Sequence, residues 1–135
     1  MTAGYSATPL LQKLGIKEKA KVRFINEPAH LAELLGPLPK GVTLVESRAS
    51  GVDYVHCFVT QKPRLAALLP GLMNKMARDG MIWISWPKKS SKVQTDITED
   101  TIREVALPLG LVDVKVCAVD ETWSGLKLVI RSEIR

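Results

Sequence analysis

The segment Trp86-Pro87-Lys88-Lys89-Ser90-Ser91-Lys92 brings three lysines, two hydroxyls and an indole into seven residues. Ammonium and hydroxyl groups at that density can cradle an anion, and Trp86 can offer a stacking face. The stretch is not a P-loop, because no G-x-x-x-x-G precedes its Lys-Ser pair. A solvated lysine loop ahead of a helix has the same composition, so both readings stand. A second polar group, Asp120-Glu121-Thr122-Trp123, pairs two carboxylates that could work as acid and base. It also has the composition of an ordinary hairpin turn. His56 lies inside an apolar run and reads as a hydrogen-bonded core histidine. His30 reads as an exposed residue at a helix start. No serine elbow, Cys–His pair or paired-glutamate arrangement is visible, so no catalytic residue is assigned. Neither histidine has a carboxylate or second histidine at ligand spacing, so no metal site is assigned either.

These groups must be positioned by an alternation of strands and helices. Residues 1–7 are expected to be flexible. Thr8 is placed to cap a short helix with Pro9 in its first turn and Leu10, Leu11 and Leu14 on one face. Residues 21–26 (KVRFIN) read as the first strand. Pro28 opens a helix bearing Leu31, Leu34 and Leu35, which Gly36-Pro37 closes. A second strand is expected over residues 42–46. The run 52–59 (VDYVHCFV) is almost continuously apolar, as a central strand buried on both faces should be.

Helical spacing resumes with Leu65, Leu68, Leu69, Leu72, Met73 and Met76, and Asp79-Gly80 is expected to end that segment. Pro70 predicts a kink there or two short helices end to end. Residues 81–86 (MIWISW) form another buried strand. Thr60 is expected to cap the helix that precedes it, with Pro63 just inside. Asp96 or Thr98 caps the next helix, Asp96 making a capping box with Glu99. Two strands, 112–119 and 123–131, then close as a hairpin, with a bulge expected at Ser124-Gly125.

The chain has 135 residues, enough for one domain with an ordinary core. An apolar fraction of 46% argues against disorder. No apolar run approaches the roughly 20 residues a membrane helix needs, and the N-terminus lacks the pattern of a secretory signal. Cys57 and Cys117 stand apart within apolar stretches and are read as buried free thiols. A cytoplasmic location is expected. The net charge is +5, but 9 of the 19 basic residues fall in the first 67 positions and 10 in the rest. With no basic arm, nucleic-acid binding is not expected from charge.

The order of elements resembles the class I S-adenosylmethionine-dependent methyltransferases. KLGIKEKAKVRFIN looks like the approach to that family's first strand, GVDYVHCFV like its strand with a "D-x-V" pattern, and GLVDVKVCAVDETWSGLKLVIR like its closing antiparallel hairpin. The resemblance implies a Rossmann-like three-layer αβα sandwich with a mostly parallel sheet of about six strands, one strand–helix unit being absent after Glu46. More closely, GYSATPL, SWPKKSS and VDVKVCAVDETWSGLKLVIR resemble a family of short bacterial proteins described as a domain of unknown function.

The departure from the methyltransferases lies in the turn after the first strand. Those enzymes place glycines there, which tolerate positive φ and let backbone N–H groups approach the cofactor. Here the turn is Asn26-Glu27-Pro28-Ala29-His30, with no glycine and one N–H donor removed by Pro28. Glu46 matches the acidic residue that binds ribose hydroxyls in that family.

A ligand crevice is expected at the carboxyl ends of the strands, where the first strand adjoins residues 52–59. Its rim would be Asn26, Glu27, Glu46, Thr60, Gln61, Trp86, Lys88 and Lys89. Asn26, Glu27, Glu46 and Thr60 form the cofactor side; Trp86, Lys88, Lys89, Ser90 and Ser91 form the anion side. The leading expectation is a non-catalytic methyltransferase-like domain that binds a small anionic ligand or a protein partner. It requires no glycine-like backbone over residues 26–29. The alternative is a small S-adenosylmethionine-dependent methyltransferase with an altered turn, which requires an open pocket between Asn26 and Glu46. A nucleic-acid module acting through Lys88 and Lys89 is the third reading. Open sheet edges leave homo-oligomerisation undecided.

Overall fold

The computed structural model describes residues 9–135, so Thr8 and the expected loose segment 1–7 fall outside the described residues. Six strands form one sheet in the order β2-β1-β3-β4-β6-β5. They are β1 (Lys21–Ile25), β2 (Thr43–Leu44), β3 (Val52–Phe58), β4 (Met76–Pro87), β5 (Leu111–Ala118) and β6 (Trp123–Ile130). β1 pairs parallel with β2 and β3, and β3 parallel with β4. β6 runs antiparallel to both β4 and β5. Two helices, α1 (Leu10–Leu14) and α2 (Leu31–Leu35), cover one face. The longer α3 (Lys62–Lys75) and α4 (Glu99–Ala106) cover the other. This is the three-layer, mostly parallel sandwich with a closing antiparallel hairpin that the sequence predicts.

β3 and β4 occupy the centre because their residues are apolar in both phases of the pleat. Val55 and Cys57 face α3 and α4, while Tyr54 and Phe58 face α1 and α2. The second face is unusual in being aromatic. Trp83 is fully buried there, and its Nε1 donates to the Leu14 carbonyl at 2.8 Å. That bond fixes α1, which at five residues is too short to hold its own shape.

His56 is fully buried in the same layer. One ring nitrogen bonds the Tyr54 hydroxyl at 2.9 Å and the other the Ser85 hydroxyl at 2.6 Å. Its ring stacks on Phe58 with centroids 4.4 Å apart. Both nitrogens are satisfied, so His56 is the hydrogen-bonded core histidine expected. Burial pushes its pKa down to about 3.

Several local expectations need correction. α3 runs through Pro70 without a break. Pro70 removes the bond to the carbonyl of Ala66, but both residues lie on the exposed face, where water can replace it. The helix stops at Lys75, not at Asp79-Gly80, because β4 already begins at Met76. Met76 pairs with Val52 and Met81 with Tyr54, so the intervening residues bulge out. Gly80 fills the bulge because a Cβ there would lie 3.0 Å from the carbonyls of Val52 and Asp53.

β2 has two residues rather than the five expected; the chain leaves β1 after Val45 N–H bonds the Val22 carbonyl. No bulge occurs at Ser124-Gly125, where both residues pair in register with β4 and β5. The bulge lies in β5 between Asp113 and Lys115. Gly125 instead makes room for the sheet's core: an added Cβ would sit 3.0 Å from Trp83 and 3.1 Å from the Ser85 hydroxyl. Asp96 does not cap α4, where Thr98 accepts from Thr101 N–H. Asp96 caps α3 from a distance, its Oδ1 accepting from Lys62 N–H at 2.7 Å. The Thr60 side chain does not cap α3; its carbonyl receives Thr95 Oγ1 at 2.7 Å.

The buried imidazole generates a pH dependence. The unfolded chain binds a proton at His56 below its ordinary value of 6.5, while the folded chain resists until about pH 3. Stability is therefore full above about pH 6.5 and falls as pH drops through that window. Urea denaturation should show wild type losing about 2 kcal/mol from this group between about pH 7 and pH 5. His56→Gln should lack that component. Equal pH slopes for the two proteins would contradict this assignment.

Candidate functional site

Carboxyl ends of β1 and β2 diverge, because β2 is too short to follow β1 to its end. The gap is a cavity of about 730 Å³ lined by residues of β1, by Asn26 and Glu27 after it, and by Leu44, Val45, Glu46 and Ser47. Three of the four expected cofactor-side residues, Asn26, Glu27 and Glu46, thus come together. Thr60 does not line this cavity; it sits at the end of β3 with its carbonyl engaged by Thr95 and Asp96. The opening is one strand over from the expected junction of β1 with β3.

The turn has the backbone that glycine would supply. Asn26 has φ +57°, in the left-handed region. Asparagine tolerates that region better than other residues with a side chain. The leading sequence expectation excluded such a backbone, so it is overturned on this point. The pocket that the methyltransferase alternative requires between Asn26 and Glu46 is open. After Asn26, Pro28 accepts from Leu31 N–H at 3.0 Å and α2 begins.

His30, which precedes α2, reaches across the carboxyl edge. Its Nε2 donates to Asp120 Oδ2 at 2.7 Å. The other oxygen of Asp120 accepts from the backbone N–H of Thr122 and Trp123 at 2.9 and 2.7 Å. Burial raises the Asp120 carboxyl, and the His30 bond and the two N–H donors outweigh it, leaving the pKa below the ordinary carboxylate value. Beside this pair, Trp123 meets Phe58 edge to face with centroids 5.2 Å apart. The hairpin tip is thereby tied to the turn after β1, 90 residues away in sequence. Nothing in the sequence signals that pair, because its partners belong to different segments.

The anion-side residues are placed differently from expectation. Trp86 is only 8% exposed and packs in the core under α3 and α4, so its ring is not available as a stacking face. Lys88 N–H bonds the Thr122 carbonyl, and a 3-10 turn follows over Lys89–Ser91. Ser91 Oγ donates to the Lys88 carbonyl at 2.6 Å and accepts from Val93 N–H at 3.2 Å, so that hydroxyl serves the loop. Lys89, Ser90 and Lys92 are exposed, and Gln61 is exposed at the start of α3. No group of three or more metal-ligating side chains occurs among the described residues.

The strand order, the antiparallel last strand and the crevice beyond the carboxyl ends define the class I methyltransferase-like fold. A methyltransferase dependent on S-adenosylmethionine from Aquifex aeolicus matches with a TM-score of 0.61 and 15% identity, over 90% of this chain and 88% of that one. Fibrillarin of Aeropyrum pernix, solved with S-adenosylmethionine bound, matches at 0.56 and 15%, over 93% and 70%. A TehB-like methyltransferase from Corynebacterium glutamicum matches at 0.55 and 11%, over 96% and 91%. Identities this low show the fold alone.

The chain itself belongs to the family described as Protein of unknown function (DUF3052), whose model matches residues 41–132. No curated protein matches it in sequence. No described helix is long and apolar enough to cross a membrane.

The left-handed turn residue can be tested directly. Asn26→Gly should change stability by no more than about 0.5 kcal/mol, whereas Asn26→Val should cost about 1–2 kcal/mol. Chemical denaturation of both variants checks this, and equal stabilities would show that the turn is unstrained.

Proposed function

We propose that the crevice between β1 and β2 binds the adenosyl part of S-adenosylmethionine or of its demethylated product. The open cavity that joins Asn26, Glu27 and Glu46 is the observation that carries this reading. Glu46 follows β2 on the lining of the cavity and would accept from two ribose hydroxyls. The left-handed Asn26 bends the chain at the end of β1 as a glycine would. The lining carries Glu27 and Glu46 against one cation, Arg23, a balance that favours a neutral or cationic ligand over a phosphate, and a sulfonium carries positive charge. This departs from the small anionic ligand expected from sequence.

A second reading is binding without methyl transfer. Pro28 supports it, since it offers no N–H donor where a cofactor's polar atoms would approach. His30 supports it too, because its side chain is engaged with Asp120.

Isothermal calorimetry with S-adenosylmethionine and with S-adenosylhomocysteine tests the proposal. Dissociation constants near 10 µM are expected, corresponding to about −7 kcal/mol. Glu46→Ala should weaken binding about tenfold or more, through loss of charge-assisted hydrogen bonds. Absence of heat for both ligands at about 1 mM would overturn it.

A further inference from the structure

Four lysines that are scattered along the chain meet on the face covered by α1. Lys115 of β5 and Lys127 of β6 are direct partners across an antiparallel pair. Lys127 is also the partner of Trp83 on β4, halfway along the sheet and well away from the crevice. Lys115 Nζ donates to the Lys13 carbonyl at 2.9 Å, which brings α1 over the pair. Lys17 follows α1 and lies near enough to Lys127 to repel its charge.

Like charges directly opposite each other weaken a sheet. Burial, then Lys115, then Lys17, lower the Lys127 pKa below its ordinary value. Yet among the described residues none of the four lysines is in an ion pair. Residues 1–8 contain no Asp or Glu that could supply a partner. The protein thus maintains a cluster of positive charge that no ion pair among the described residues neutralises.

We propose that Lys13, Lys17, Lys115 and Lys127 form a docking surface for the sugar–phosphate backbone of double-stranded nucleic acid. A phosphate-rich polyanion relieves the mutual repulsion and releases its own condensed counterions on binding. The two best-formed cavities lie elsewhere, so a small phosphate ligand is less well served here than an extended polyanion. Among the described residues this surface offers no exposed aromatic ring on which an unpaired base could stack, which favours a duplex over a single strand. An anionic membrane fits less well. The exposed Val116 is the partner of Leu126, which packs under α3 and α4, so it faces away from Lys115, and Val114 in the bulge is the one large exposed apolar side chain beside Lys115 among the described residues. This surface is independent of the crevice between β1 and β2.

The test is fluorescence anisotropy of a labelled duplex DNA with the full chain at several salt concentrations. Four phosphate contacts predict a slope of log K against log salt of about −3 to −4. Lys115→Ala/Lys127→Ala should bind about tenfold more weakly or worse at about 50 mM salt, with a slope shallower by about 2. Lys115 also bonds α1, so Lys17→Glu, at an exposed position with no side-chain bond, serves as the second variant and should weaken binding as well. Retained duplex affinity in both variants overturns the proposal. So does loss confined to Lys88→Ala/Lys89→Ala, or binding to phosphatidylserine vesicles without binding to the duplex.

Discussion

His56 lies with no exposed surface between the Tyr54 hydroxyl on its own strand and the Ser85 hydroxyl on the next. A charged imidazole at that depth would be costly, and a neutral one with an unsatisfied nitrogen nearly so. The bond to Ser85 exists only in one register of β3 against β4. A slip by one residue would carry Ser85 to the opposite face of the sheet. The phase of β4 then sets where the chain leaves at Pro87, where Lys88 meets the Thr122 carbonyl, and where the hairpin tip stands. Gly125 belongs to the same constraint, because a larger residue would press on both Trp83 and Ser85. The His30–Asp120 bond at the carboxyl edge thus depends on a hydrogen-bond network in the middle of the sheet.

That edge is where the chain departs from methyltransferases in sequence while keeping part of their backbone. Asn26 supplies the left-handed turn. The later turn positions have other tasks, Pro28 starting α2 and His30 anchoring the hairpin tip. Shortening β2 moves the open space toward the outer edge and brings Glu27 and Glu46 onto its rim. The crevice, lined by Glu27 and Glu46 beside Arg23, and the basic face around α1 are consequently separate regions.

Much of this architecture is legible in the sequence because it rests on local periodicity. The apolar runs at 52–59 and 81–86 mark the central strands, and Glu46 and Asn26 mark the strand ends that frame the crevice. What is not legible depends on contacts between segments. Asp96 has the spacing of a capping box with Glu99, yet it caps α3 because the turn from β3 passes close by. Pro70 reads as a breaker, but its missing bond falls on a solvated face. Trp86 looks available beside the lysine loop, but it lies in a buried run that extends through Pro87, and it packs into the core. The His30–Asp120 pair joins residues 90 positions apart, which no pattern of spacing can reveal.

The charge distribution shows the same limit more sharply. Counted along the chain, the basic residues divide almost evenly, which is why no basic arm is visible. The fold converts that even spread into a cluster, because β6 sets Lys127 opposite Lys115 and α1 lies across both. A sheet that needed only stability would place an acid opposite one of them, since opposite charges at such positions stabilise and like charges do the reverse. Arg103 shows that the chain can do this, being surrounded by Glu99, Asp100 and Asp113. Lys115 is exposed at the edge strand, where its charge also hinders pairing with another chain. Edge protection accounts for Lys115 alone. It does not account for Lys127, which lies one strand inward and is half-buried; the proposed docking surface would account for both.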